Sequence, residues 1–272
     1  MTVLPLLAQS STPHTLTGDF RFHSQFQSKF VPYARDILVY LPPQYATQPR
    51  RRFPVLYLHD GQNLFDGATS FIPGKEWQVD ETAQKLIRTG AIAPLIIVGI
   101  YNTGNHRIDE YTPTRDPKTG HGGDADAYGR MLTRELKPFI DRTYRTHRSG
   151  TNTGLGGSSL GALVTLYLGM KYPHVFGKLA VMSPSVWWNN RIILRRVAEM
   201  HGKPNARIWL DIGTGEGERT VQDARDLRDA LVAKGFVEGR DLAYLEAQGA
   251  GHNELAWAHR VADLLQFLYP CR

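Results

Sequence analysis

The stretch Gly157-Ser158-Ser159-Leu160-Gly161 constrains this chain more than any other. Apolar and β-tolerant residues precede it from Thr153, and a helical run from Ala162 to Tyr172 follows. Strand, sharp turn and helix are the setting in which Gly-x-Ser-x-Gly forms a nucleophile elbow. The serine of such a turn takes up a strained backbone conformation. Glycines on both sides keep Cβ atoms out of the space where strand and helix close up. Ser159 is then the candidate nucleophile, raised above the C-terminal edge of a sheet, with Ser158 in the variable position. In a Gly-rich loop the same letters also describe an ordinary tight turn, so the assignment depends on what the rest of the chain supplies.

A serine hydroxyl is a poor nucleophile at neutral pH until a neighbour takes its proton. Of the ten histidines, His252 sits where such a base belongs. It occupies a glycine-flanked loop after the apolar run Leu242–Leu245 and before the amphipathic stretch Leu255–Tyr269, last in chain order. His259 falls on the final helix, His106 and His121 on polar loops. His14, His23, His147, His174 and His201 have no motif around them and read as surface or capping residues. Between nucleophile and base comes a strand, Ile208–Ile212, and then a Gly-rich loop carrying carboxylates. This loop suits an acid that holds the imidazole tautomer and stabilises its charged form. Glu216 is the first choice, with Glu218 and Asp223 as alternatives; Asp211 lies inside the strand and is less able to reach. The same acids also suit the N-terminus of a helix over Thr220–Gly235, whose dipole favours negative charge.

A third segment, Phe53 to Asp66, is a buried-strand run, Val55–Leu58, ending in the polar loop His59-Asp60-Gly61-Gln62-Asn63. Acyl transfer creates an oxyanion that backbone N–H groups must hold. Leu160, next to the nucleophile, supplies one, and Gly61 or Gln62 the other. His59-Asp60 reads as a structural hydrogen-bonded pair below the site rather than as a catalytic one.

Two antiparallel strands, Phe20–Phe26 and Asp36–Tyr40, open the pattern, with Pro42-Pro43 closing the second. Strand and helix then alternate: Val55–Leu58 and a helix around Val79–Arg88; Leu95–Ile100, a long loop and a helix over Asp124–Arg142; the elbow. After these come Lys178–Met182 with a helix around Arg191–Met200, Ile208–Ile212 with Thr220–Lys234, and Ala243–Leu245 with a final helix. Such alternation predicts an α/β fold, a mostly parallel sheet covered on both faces. All the candidate residues fall at carboxyl ends of strands, where open α/β sheets carry their sites. Residues 1–17 read as a loosely held polar segment and 18–272 as one domain. The loop Tyr101–Gly123 is long enough to suggest a pocket wall. Phe65, Trp77, Tyr111, Trp187 and Trp188 are its aromatic candidates; for any one of them a place in the core is the simpler reading, except that at least one of the adjacent pair Trp187-Trp188 is expected in the cleft. Arg107 and Arg115 are candidate contacts for an anionic substrate group, although solvated loop arginines are the simpler reading.

Several segments together resemble the esterase D-like family of α/β-hydrolases. They are residues 56–66 (Leu-Tyr-Leu-His-Asp-Gly-Gln-Asn-Leu-Phe-Asp), 97–100 (Ile-Val-Gly-Ile), Arg107-x-x-Glu110-Tyr111-Thr112-Pro113, and Glu135 to Asp141. The elbow, Ser183-Pro184-Ser185-Val186-Trp187-Trp188 and Gly251-His252-Asn253 complete the series, in the expected order across roughly residues 30–270. Many members carry two glycines after the elbow leucine where this chain has Gly161-Ala162, and a small residue suffices there. The family includes siderophore esterases, feruloyl and acetyl-xylan esterases, and mycolyltransferases. The resemblance implies an α/β-hydrolase fold, with Ser159, Glu216 and His252 catalytic by motif position. Some siderophore esterases work with a serine–histidine dyad, which leaves the role of the acid open.

The expected activity is serine carboxylic-ester hydrolysis of a short-acyl or carbohydrate-type ester, without metal or organic cofactor. A siderophore trilactone, an acyltransferase using the same site, and a catalytically silent binding scaffold are the alternatives. The formal net charge of +6 comes from scattered basic residues mixed with acids, without a nucleic-acid-binding motif. No run approaches the length of a membrane span. The apolar stretch Val3–Ala8 lacks a basic residue before it, as a signal peptide would have. With the single cysteine, Cys271, this gives a cytoplasmic expectation.

Overall fold

The computed structural model describes residues 12–271. Eight strands form one sheet in the order β1-β2-β4-β3-β5-β6-β7-β8. They are β1 Asp19–Phe26, β2 Arg35–Leu41, β3 Val55–His59, β4 Ile96–Ile100, β5 Thr153–Ser158, β6 Lys178–Met182, β7 Arg207–Gly213 and β8 Leu242–Ala247. β1 pairs antiparallel with β2, and β2 with β4. The other five pairings are parallel. This is the mostly parallel sheet of the α/β-hydrolase fold that the sequence leads one to expect.

Side chains alternate across the sheet with the strand period of two. Val55, Tyr57, Val98, Leu155, Val181 and Leu210 face one apolar layer. Leu56, Leu58, Ile97, Ala180, Met182 and Trp209 face the other. The helix Leu160–Lys171 covers the first face and is apolar almost all round, as a helix buried on every side must be. Helices Val79–Arg88 and Val261–Leu268 cover the second.

The structure departs from the sequence pattern in three places. The helix expected over Asp124–Arg142 is two α-segments, Ala125–Met131 and Lys137–Thr143, joined by a π-helical turn at Leu132–Leu136. Pro138 accounts for the widening: it has no N–H for the carbonyl four residues back, and its ring crowds that carbonyl. The final amphipathic stretch breaks into Glu254–Ala258 and Val261–Leu268, because Arg260 turns inward and is only 3% exposed. Residues 1–11 of the expected loose N-terminal segment lie outside the described residues. Within the remainder, the backbone N–H groups of Thr15 and Thr17 donate to Asp66 and Asp80, which ties that stretch to the domain.

Candidate active site

Strand β5 ends at Ser158 and the helix Leu160–Lys171 begins one residue later, leaving Ser159 alone in the turn at φ +58° and ψ −122°. A Cβ on Gly157 would stand 3.1 Å from the Gly161 carbonyl carbon and 3.1 Å from His59 Cβ; one on Gly161 would meet His59 Cβ at 3.3 Å. The elbow therefore closes against β3 only because both flanking residues lack side chains. The Ser159 N–H donates to Met182 O at 3.0 Å, and its carbonyl accepts from the Ser185 N–H at 3.1 Å. Its hydroxyl lies 3.2 Å from Ser185 Oγ.

His252 sits on the loop after β8, and its Nδ1 is 2.6 Å from Glu216 Oε2. Glu216 ends the turn Thr214–Glu216 that follows β7. Burial alone would push its carboxyl up; donors from His252, Ser183 and Gly213 instead hold it below the ordinary carboxylate value. Of the alternative acids, Glu218 is exposed at the head of the next helix, and Asp223 is paired with Arg191 at 2.9 Å. Asp211 is fully buried, accepting from Trp209 Nε1 at 2.6 Å. Burial pushes its carboxyl up to about 6, against the pull of Arg260.

Ser159 and His252 line one cleft of about 470 Å³ together with Gln62, Asn63, Phe71, Asn102 and Trp257. Gln62 opens onto it. Gly61 instead packs against β4, where a Cβ would come within 2.6 Å of the Gly99 carbonyl carbon. As the first residues of helical turns, Leu160 and Gly61-Gln62 present N–H groups that have no acceptor within their own turn.

His59 and Asp60 are structural, but they do not bond to each other as a pair. His59 Nδ1 lies 2.9 Å from the Tyr128 hydroxyl. Asp60 receives two bonds of 2.7 Å from Arg107 and one of 2.7 Å from Asn102. Burial disfavours the Asp60 carboxylate, but Arg107 and Asn102 more than compensate and set its carboxyl below the usual range.

The aromatic expectations fare unevenly. Tyr111 is fully buried and accepts the Asp60 N–H at 3.3 Å, so it lies under the cleft rather than in it. Trp188 is buried, with Nε1 donating to Thr114 O at 3.0 Å. Trp187 is half exposed and lines a separate hollow with Asp116, Lys118 and Asn190. Phe65 and Trp77 belong to the core. Arg107 does line the cleft, as do Asn102, Gly104 and Asn105, so the long loop after β4 is a wall of the site. Its guanidinium is committed to Asp60. Arg115 binds Gly120 O within its own loop.

The sequence assigns no role at the site to Ser183, Ser185, Phe71, Trp257 or Arg260, although Ser183 and Ser185 fall within a segment that carries the family resemblance. The usable signal was Ser183-Pro184-Ser185 directly after β6, the strand adjoining the elbow. Among the described residues, no group of three or more His, Cys, Asp or Glu side chains is arranged to hold a metal ion. None of their helices is long and apolar enough to cross a membrane.

Among relatives, the chain is 28% identical to the Bacillus subtilis (strain 168) protein YbbA, described as uncharacterized, over 86% of this chain and 92% of YbbA. It is also 28% identical to the ferri-bacillibactin esterase BesA of the same organism, covering 75% of each chain. Its fold is similar to the crystal structure of the BES protein from Bacillus cereus, with a TM-score of 0.73, 22% identity and 99% coverage of both chains. The family model described as "Putative esterase" matches residues 28–268, and the chain belongs to that esterase family.

Proposed function

We propose that this protein is a serine carboxylic-ester hydrolase working through an acyl-enzyme on a small-molecule ester. Ser159 Oγ attacks the ester carbonyl and passes its proton to His252 Nε2. The imidazolium then gives that proton to the departing alcohol. In the second half, water loses a proton to His252 as it attacks the acyl carbonyl, and Ser159 leaves reprotonated. Glu216 holds Nδ1–H toward the protein, which leaves Nε2 free for the serine side. The Leu160 N–H and one from the Gly61-Gln62 turn stabilise the oxyanion; the opening of Gln62 onto the cleft favours Gln62.

The observation that carries this reading is the convergence of three distant elements, two of them lining one cleft and the third bonded behind it. They are a strained serine between β5 and its helix, a histidine after β8, and a buried glutamate after β7 bonded to that histidine. The name of BesA supports including a siderophore lactone beside short-acyl and carbohydrate esters in a substrate panel. The test is labelling with a fluorophosphonate probe, with the modified residue read by mass spectrometry, followed by that panel. Labelling at Ser159 that disappears in His252→Ala is expected. A folded, unlabelled protein would point to a silent scaffold.

A further inference from the structure

Ser183 follows β6, is 1% exposed, and holds φ at +43°, a region that non-glycine residues seldom occupy. Its N–H donates to Asp211 O at 2.9 Å and lies 3.2 Å from Asp211 Oδ1. Its hydroxyl meets three groups: Glu216 Oε1 at 2.6 Å, Trp257 Nε1 at 3.1 Å and an Arg260 terminal nitrogen at 3.1 Å.

Indole and guanidinium groups only donate. They therefore occupy the lone pairs of Ser183 Oγ and leave its one proton a single destination, Glu216 Oε1. The Gly213 N–H donates to that same oxygen at 2.9 Å. With Oε1 pinned from two sides, Oε2 is the atom left for His252. Trp257 also stands edge-on to the His252 ring, with centroids 4.9 Å apart and an interplanar angle of 82°. Behind this layer, Arg260 has a terminal nitrogen 3.5 Å from Asp211 Oδ1, both side chains being almost wholly buried. The cation thus sits at the back of the Ser183 hydroxyl and polarises it toward the glutamate.

We propose that Ser183 is a positioning residue of the hydrolytic site. Its hydroxyl, oriented by Trp257 and Arg260, keeps Glu216 ionised and in the rotamer that meets His252. The inference rests on the reading of Ser159, His252 and Glu216 as the reacting triad. It accounts for a strained serine kept where glycine would fit with less strain.

Ser183→Gly is the informative variant, because glycine is at ease at this φ and the substitution removes the hydroxyl without adding strain. With p-nitrophenyl acetate, kcat is expected to fall at least about tenfold with KM little changed, as expected when an interaction serving the transition state is lost. The acid limb of kcat/KM is expected to move to higher pH, since Glu216 loses a donor that favours its charged form. Trp257→Phe, which keeps a smaller aromatic ring beside His252 and removes the N–H together with the fused five-membered ring, is expected to shift both quantities in the same direction by less. Should Ser183→Gly fail to fold, Trp257→Phe decides alone. Wild-type kcat and an unmoved acid limb, in Ser183→Gly or in that fallback, overturn the proposal. A wild-type protein that neither turns over esters nor labels at Ser159 counts against the hydrolase reading itself.

Discussion

His252 Nδ1 and Glu216 Oε2 lie 2.6 Å apart across the boundary between solvent and core, the histidine side chain 43% exposed and the glutamate 1%. A carboxylate shielded this far interacts more strongly with an imidazolium than one in water would. It also has no solvent to replace a lost partner. Glu216→Ala is therefore expected to lower kcat by about 10⁴-fold, while loss of Ser159 or His252 costs about 10⁶-fold, the order seen when triad members are removed singly. Glu218→Ala, at an exposed position outside this contact, should stay within about twofold of wild type. Steady-state kinetics on one ester substrate measures all four. A larger effect of Glu218→Ala than of Glu216→Ala would mean that the acid has been misassigned.

Three serines crowd the elbow, and they should separate cleanly. Ser159→Ala abolishes both turnover and fluorophosphonate labelling. Ser158→Ala, at the end of β5, leaves labelling at Ser159 intact. Ser185 lies 3.2 Å from Ser159 Oγ and bonds it through the backbone as well. Its hydroxyl contributes one neutral hydrogen bond of about 1 kcal/mol, so Ser185→Ala should change kcat by less than about tenfold. Peptide mapping after labelling, beside kinetics of the three variants, checks this order.

Much of the fold and of the candidate site was legible because each signal was local. The β-α alternation placed the strands, and the Gly-x-Ser-x-Gly turn placed Ser159. The carboxylate-bearing loop after β7 and the Gly-flanked histidine after β8 placed Glu216 and His252. What stayed hidden depends on side chains meeting from distant elements. Ser183 matters because Trp257 and Arg260, more than 70 residues away, reach it. No period in the sequence marks Arg260 as an inward residue; its inward turn breaks the last helix and spoils the amphipathic pattern. Tyr111 and Trp188 were misplaced for a related reason. An aromatic on a polar loop looks like a pocket wall until its partners, the Asp60 N–H and Thr114 O, are seen beneath the surface.

The elbow glycines carry a stability prediction of their own. A methyl on Gly157 would sit 3.1 Å from the Gly161 carbonyl carbon and from His59 Cβ. Neither the backbone nor a fully buried imidazole can give way easily. Overpacking of this kind costs about 1–3 kcal/mol, so Gly157→Ala should lower the Tm by several degrees. Because the shift pushes strand from helix, it should also slow labelling of Ser159. A variant with an unchanged Tm and labelling rate would show that the turn has more room than this geometry allows.

His59 makes stability depend on pH below the ordinary histidine value. It is fully buried, bonded through Nδ1 to Tyr128, and its Nε2 finds no partner among the described residues. Burial pushes the imidazole from 6.5 down to about 3, with Asp60 opposing and Arg107 and Arg35 adding to the shift. The unfolded chain takes up a proton near 6.5 that the folded one refuses. The contribution is thus fully present above about pH 6.5 and is lost progressively as pH falls toward about 3. Asp60, held low by Arg107, also loses stability in acid, but only below the ordinary carboxylate value. Asp211, raised to about 6, works the other way: its contribution is greatest in acid and fades as pH rises through about 6. Asp80, raised by burial to about 9, acts in the same sense as Asp211 over a wider range, so between pH 6.5 and 5 the net slope sets His59, helped by the partly buried and also lowered His23, against Asp211 and Asp80. In guanidinium titrations His59→Gln should be less stable at pH 7, having lost a packed ring, and the wild-type advantage in midpoint should shrink from pH 6.5 to 5. Identical slopes in the two proteins would mean that His59 accepts its proton in the folded state.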